Sequence, residues 1–110
     1  METVDDFCRR EKVQRIDLLK LDIQGWEIEV LGGCEAMLGR DAIHFVFAEV
    51  RFERLNTHIQ QFSELHEFME GNRFNFCGLY ETCRYGAAGQ FVWFANILSV
   101  NTPFTRSNRL

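Results

Sequence analysis

Apolar and polar residues along the first part of the chain predict a helix followed by a strand. Thr3 can cap a helix in which Asp6 places a carboxylate near the positive helix end, so a short helix is expected to run to about Lys12. Its buried stripe is expected to consist of Val4, Phe7 and Cys8. Residues 16–23 are mostly apolar and have the length of a strand, which Gln24-Gly25 ends.

The next segment combines a helix with a strongly apolar strand. The helix is predicted over 26–38 because apolar residues recur every four positions, at Trp26, Val30, Cys34 and Leu38. Gly32 and Gly33 each disfavour a helix interior by about 1 kcal/mol relative to alanine. We therefore expect the helix to bend or restart there, or another backbone segment to approach closely. The nearly continuous apolar run 43–50 is typical of a strand that is covered on both faces.

The second half of the chain predicts one helix and two strands. Thr57 and Gln60 form a helix-start signal, and Gly71 is the expected left-handed residue at the helix end. Residues 74–80 and 91–100 predict two strands, joined through a turn at 86–89. Residues 101–110 are expected to form a polar, frayed tail with Phe104 as its anchor.

These elements together predict an α/β fold with a four-stranded mixed sheet flanked by helices. A strand, helix, strand sequence favours two parallel neighbouring strands, whereas the last two strands are expected to be antiparallel. The fourth strand is more continuously apolar than the third, so it is expected inside the sheet. The predicted strand order is first, second, fourth, third, within one domain over residues 1–100.

The composition limits the classes of protein that the chain can represent. Its 110 residues suffice for one domain, and 46% hydrophobic with 25% charged residues is ordinary for a globular protein. The net charge of −4, without a basic run, argues against nucleic acid as a partner. No apolar stretch is long enough for a membrane span, and the four cysteines lack zinc-finger spacing. We therefore expect a cytoplasmic protein with structural thiols.

Acidic residues follow the two predicted parallel strands, where ligands of open α/β sheets bind. Asp22 lies at the end of the first strand and is followed by Gln24 and Gly25, Glu27 lies in the first turn of the next helix, and Glu49 lies at the end of the second strand. Three carboxylates are thus expected to face one crevice. Spacing alone leaves the alternative that Asp22 only caps the helix and Glu49 is a solvated strand end.

Several short motifs resemble the FkbM family of methyltransferases. They are Thr3-Val4-Asp5-Asp6-Phe7, the run Ile16-Asp17-Leu18-Leu19-Lys20-Leu21-Asp22-Ile23-Gln24-Gly25-Trp26-Glu27, the run Glu29-Val30-Leu31-Gly32-Gly33, and Glu49-Val50. The resemblance extends from Thr3 to about Val100. It implies a Rossmann-like fold that binds S-adenosylmethionine and methylates a hydroxyl of a small-molecule acceptor, such as a sugar, a lipid or a secondary metabolite.

The resemblance also implies roles for the acidic residues. Asp22 would lie close to the cofactor's sulfonium and the acceptor, as a base, a ligand of the cofactor's amino group or a metal ligand, and these roles stay open. Gln24 and Gly25 would contact the cofactor beside it. Glu27 and Glu49 are second-rank candidates for orienting the substrate, or for holding a hard metal ion with Asp22.

The chain departs from the family pattern because no glycine-rich turn for the cofactor precedes Thr3. The resemblance therefore suggests the C-terminal half of a methyltransferase fold. An alternative is a catalytically inactive, truncated or split half-domain that acts as an interaction module, pairing with an N-terminal half or with itself through an exposed sheet edge. A metal-dependent hydrolase has weaker support, since the three acids lack a histidine at useful spacing.

Overall fold

The computed structural model of the protein describes residues 2–21, 27–52 and 62–108, with the side chain of Glu27 excepted. Helices and strands follow each other in mixed order along this part of the chain. They are α1 (Val4–Arg10), β1 (Ile16–Leu21), α2 (Glu27–Gly32), α3 (Glu35–Gly39), β2 (Ile43–Arg51), α4 (Phe62–Gly71), β3 (Phe74–Tyr85), β4 (Phe91–Asn101) and α5 (Thr102–Asn108).

The four strands form one mixed sheet in the order β1-β2-β4-β3, which confirms the predicted order. β1 and β2 are parallel, with Ile16 opposite Ile43 and Leu21 opposite Ala48. β4 is antiparallel to both β2 and β3. The fold is therefore α/β and is consistent with a Rossmann-like fold. The more continuously apolar of the last two strands, β4, lies inside the sheet.

The two faces of the sheet differ in burial. On β2, Val46, Ala48 and Val50 are buried, and they share a core with apolar residues of the helices. The helix residues in this core are Leu31, Cys34, Met37, Leu38, Leu65 and Met69. The opposite face, with Phe45, Phe47 and Glu49, is only half-buried. β2 is therefore covered on both faces but not equally, because the helical part of the core lies on one side and the other face is only partly covered.

The N-terminal helix begins as the sequence predicts. The Thr3 hydroxyl accepts the backbone N–H of Asp6 at 3.1 Å and caps α1. Cys8 is buried and Val4 packs against the core, but Phe7 is 46% exposed. The predicted burial of Phe7 is wrong, because the seven-residue helix turns a narrow stripe toward the core.

The helix predicted over 26–38 restarts at its glycines. α2 ends at Gly32 and α3 begins at Glu35. A Cβ atom on Gly33 would lie 3.0 Å from Thr3 Cβ, and the Gly33 carbonyl accepts the N–H of Asp5 at 2.9 Å. Both expectations for these glycines are confirmed, since the helix breaks and α1 approaches the break closely.

The end of α4 differs from its predicted form. Gly71 is the last helical residue, and the left-handed residue is Arg73, with a φ of 67°. The expectation for Gly71 is wrong because the left-handed residue comes two positions after the end of the helix, at Arg73, whose side chain donates to Asp41 and to the Leu38 carbonyl. The helix-start signal at Thr57 and Gln60 lies outside the described residues.

The C-terminal segment is ordered instead of frayed. Residues of α5 follow β4 directly, and the Asn101 side chain accepts the N–H of Phe104 at 2.8 Å. The Phe104 ring stacks on His44, with 4.0 Å between ring centroids, and meets Phe45 edge-on. Phe104 is the predicted anchor. The expectation of a frayed tail is wrong for residues 102–108, because they form a capped helix, and residues 109–110 lie outside the described part of the chain.

No helix in the described part of the chain is long and apolar enough to cross a membrane.

Candidate functional site

The predicted site residues fall into two groups. Asp22, Gln24 and Gly25 lie outside the described residues, and Glu27 is described only by its backbone, as the first residue of α2. Glu49 is fully described, on β2. The structure therefore locates the edge at which these residues meet, and gives side-chain geometry for Glu49 alone.

Glu49 lies at the carboxyl edge of the two parallel strands. The register pairs Leu21, the last residue of β1, with Ala48, so Glu49 is one position further along β2. Its side chain is 16% exposed. This is not the solvated strand end of the alternative interpretation, because most of the carboxylate-bearing side chain is covered.

A polar strip crosses the sheet at the level of Glu49. Glu49 is paired with Asn96 on β4, and Asn96 is paired with Tyr80 on β3. The Asn96 side-chain amide donates to Glu81 Oε1 at 3.2 Å. Glu81 has a φ of 52°, beside a register shift between Tyr80 and Cys83. A non-glycine residue in this region is uncommon, and bulges often re-aim side chains next to functional sites.

Arg51 occupies the same face of β2, two residues beyond Glu49. Its Nη2 lies 3.8 Å from Glu49 Oε1, and its side chain is 13% exposed. The guanidinium Cζ is 4.4 Å from the ring centroid of Phe94 and 5.5 Å from that of Trp93. Arg51 Nε is buried and has no hydrogen-bond partner among the described residues. The edge thus holds a cation on an aromatic surface beside a covered carboxylate.

The sequence does not predict Arg51, Glu81 or Asn96 as members of this arrangement. Arg51 carried a signal, because residues two apart on a strand share a face and Glu49 was already a candidate. No pattern in the sequence indicates Glu81 or Asn96, since their proximity depends on the register of β3 and β4. The described residues hold no group of three or more histidine, cysteine or acidic side chains placed to bind a metal ion.

Two of the cysteines, Cys8 and Cys34, belong to the core and not to this site. Cys8 and Cys34 are buried, and burial, with Asp5 as a further cause, raises the pKa of the Cys34 thiol to about 12 and that of Cys8 above its usual value. Cys77 is exposed on β3 and Cys83 is half-buried. The expectation of structural thiols fits Cys8 and Cys34, whose high pKa disfavours the reactive thiolate.

Comparison with known protein families identifies the chain. The Methyltransferase FkbM domain matches residues 1–76, more than half of the chain. The match includes Asp22, Glu27, Glu49 and Arg51, and ends within β3, short of the Val100 to which the motif resemblance extends. No curated protein and no solved structure gives a significant match. The chain belongs to the FkbM methyltransferase family.

Proposed function

We propose that this member of the FkbM methyltransferase family contributes to an S-adenosylmethionine-dependent O-methyltransferase site at the carboxyl edge of β1 and β2. The observation that carries the proposal is the parallel register, in which Glu49 lies one step beyond the pair of Leu21 and Ala48. Asp22 follows Leu21 directly in the sequence. If the register continues by one residue, Asp22 stands beside Glu49, and two carboxylates share one crevice.

The acids at this edge fit the positively charged end of S-adenosylmethionine. The cofactor carries a sulfonium and an ammonium group, and a covered carboxylate such as Glu49 attracts both. When bound, the cofactor supplies an electrophilic methyl group. Asp22, Gln24 and Gly25 are the residues that we propose to hold it, and the family resemblance supports this assignment.

The chain's own residues would then position the acceptor and take up its proton. A hydroxyl oxygen must lie in line with the methyl group, and correct placement supplies much of the rate of such reactions. Asp22 is the first candidate for the carboxylate that accepts the hydroxyl proton. Glu27, at the start of α2, and Glu49, on β2, orient the acceptor. The proposed acceptor is a sugar, lipid or secondary-metabolite hydroxyl, and the free thiols favour a reducing compartment such as the cytoplasm.

A second function is favoured by the edge of the sheet. β1 is the first strand in the sheet order, and Leu18 on this edge strand is 55% exposed. An edge strand with open backbone groups and an exposed leucine can pair with another chain. In this alternative the half-domain is catalytically inactive and acts as an interaction module, with a complementary N-terminal half or a second copy as its partner.

Photolabelling with methyl-tritiated S-adenosylmethionine tests the first proposal without knowledge of the acceptor. Ultraviolet cross-linking should label peptides around residues 20–51, and S-adenosylhomocysteine should compete with the label. Asp22→Asn and Glu49→Gln should each lower the labelling several-fold. Glu29→Gln, an exposed acid on α2, is the matched control and should leave it unchanged. Label at the hairpin turn, or label that S-adenosylhomocysteine does not reduce, would favour the interaction module.

A further inference from the structure

We propose that Arg51 binds an oxyanion, a carboxylate or a phosphate, that the methyl acceptor carries beside its hydroxyl group. The inference rests on the proposed function, because it names the substrate class of that same site. It starts from the burial of an arginine whose donors are only partly used. In the described part of the chain, Arg51 Nε has no hydrogen-bond partner, and Nη2 lies 3.8 Å from Glu49 Oε1.

The aromatic neighbours of Arg51 cannot satisfy these donors. Phe94 and Trp93 lie 4.4 and 5.5 Å from Cζ and attract the guanidinium through their ring faces. A cation–π contact engages the charge but leaves the planar fork of N–H groups without acceptors. A buried N–H without an acceptor destabilises the folded state. The aromatic rings therefore hold the guanidinium in place while one buried N–H stays without an acceptor. An anion that accepts this N–H would remove the energetic penalty.

The ligand class follows from the geometry of guanidinium. Nε and one Nη form a fork that matches the two oxygens of a carboxylate or a phosphate, and such bidentate pairs are among the strongest hydrogen-bonded contacts. Glu49 does not fill this role, because 3.8 Å exceeds hydrogen-bond distance. A bound anion would also be held two residues from Glu49, and thus next to the proposed position of the reacting hydroxyl.

Access to the fork requires a side-chain movement that can be observed. The Nε atom is buried in this conformation, so an anion reaches it only if a neighbouring side chain moves. Trp93 is the neighbour that reports on this movement, because it is 42% exposed and contacts the guanidinium. Its fluorescence should change as the anion replaces part of the cation–π contact.

Nitrogen-15 NMR of the arginine Nε–H signals tests the inference directly on the whole chain. Inorganic phosphate and acetate are titrated separately at constant ionic strength, so that the two arms distinguish a phosphate from a carboxylate ligand. The Arg51 signal, assigned by its loss in Arg51→Lys and in Arg51→Gln, should shift saturably with one of them. Arg51→Lys should weaken this anion's binding at least tenfold, since lysine has no planar fork.

Arg84→Lys is the matched control, because Arg84 is an exposed arginine on β3. It should bind the anion as the wild type does. Trp93 fluorescence, measured in Trp26→Phe, follows the same titration and decides the result if both Arg51 variants fail to fold. The inference would be overturned if the Arg51 Nε–H signal and the Trp93 emission stay constant during the titration. It would also be overturned if the Arg51 signal shifts without saturation, in the same way as the signal of the exposed Arg84. Anion binding at Arg51 together with a failed photolabelling experiment would leave this site standing and reject the methyl-transfer proposal alone.

Discussion

The carboxylate of Asp5 caps helix α3 from 31 residues away along the chain, by accepting the backbone N–H of Ala36 on Oδ2 at 2.7 Å. Its second oxygen accepts the N–H of Met37 at 3.1 Å. α3 has no side-chain cap from its own N-cap residue, Cys34. The motif residue Asp5 therefore joins α1 to the crossover between β1 and β2, and supports the proposed site from a distance without forming part of it.

Removal of this long-range cap should destabilise the fold. Asp5→Ala deletes both acceptors, and we expect a loss of about 1–2 kcal/mol in the free energy of unfolding, which is the usual range for a helix cap. Urea denaturation followed by circular dichroism measures the loss. Asp6→Ala is the control, since it removes an exposed ion pair with Arg9 and a carboxylate at the start of α1, and it should cost less, about 0.5 kcal/mol. Equal losses in both variants would contradict the assigned role of Asp5.

Asn101 should hold α5 against the sheet. It is fully buried, its amide donates to Asp41 Oδ1 at 3.0 Å, and its carbonyl caps α5 at Phe104. Asn101→Ala should cost about 2 kcal/mol, because the deletion leaves the N–H of Phe104 without its capping acceptor. Asn108→Ala removes a solvent-exposed bond to the Phe104 carbonyl and should cost much less. Thermal unfolding of the two variants compares them, and a larger effect of Asn108→Ala would refute this account of the C-terminal helix.

The buried thiols should make stability fall at alkaline pH. Burial raises the pKa of Cys34 from 9.0 to about 12, so between these values the unfolded chain releases a proton that the folded chain retains. The contribution of the Cys34 thiol to the free energy of unfolding is therefore complete below pH 9, and it declines as the pH rises toward 12.

Urea titrations at pH 8, 9 and 10 measure this slope, which should be shallower in Cys34→Ala than in Cys77→Ser, a substitution at an exposed thiol. In the folded protein, a thiol reagent should modify Cys77 rapidly and Cys34 only through unfolding. Rapid modification of Cys34 under native conditions would show that its burial is misjudged.

The exposed edge strand should promote self-association. Leu18 is 55% exposed on β1, and Leu79, on the opposite edge strand β3, is 43% exposed. We expect light scattering to show concentration-dependent association of the wild-type chain, and Leu18→Lys to reduce it, because a charge on an edge strand opposes pairing. Leu79→Lys should leave it unchanged. If Leu79→Lys reduced the association instead, the contact would lie on β3. A wild-type chain that stays monodisperse at high concentration would exclude self-association through either edge strand.

The periodicity of apolar residues was sufficient to predict the sheet order. The continuous run of β4 and the broken pattern of β3 distinguished an inner strand from an edge strand, and the structure confirms this difference. Phe7 and Gly71 were predicted wrongly, because burial on a short helix and the residue at which a helix ends depend on tertiary contacts. α5 was missed because its cap, Asn101, forms its second bond with Asp41, 60 residues earlier in the chain.

The candidate site was less predictable than the fold. The position of Glu49 at the carboxyl edge follows from strand order alone, and the register confirms that position. Arg51, with its contacts to Phe94 and Trp93, requires the pairing of β2 with β4, which no local pattern specifies. Glu81 depends in addition on a shift in the ladder between β3 and β4.

Backbone-amide NMR with S-adenosylmethionine as the titrant tests the central claim most directly. The glycines at 86 and 89 lie in the hairpin between β3 and β4 and do not open a helix, so they do not form a cofactor loop, and we expect this chain alone to bind the cofactor weakly or not at all. The largest shifts should fall on residues 20–28 and 48–51, and Asp22→Asn should abolish them. A low-micromolar dissociation constant, or shifts centred on another part of the sheet, would contradict a cofactor site at the edge formed by β1 and β2.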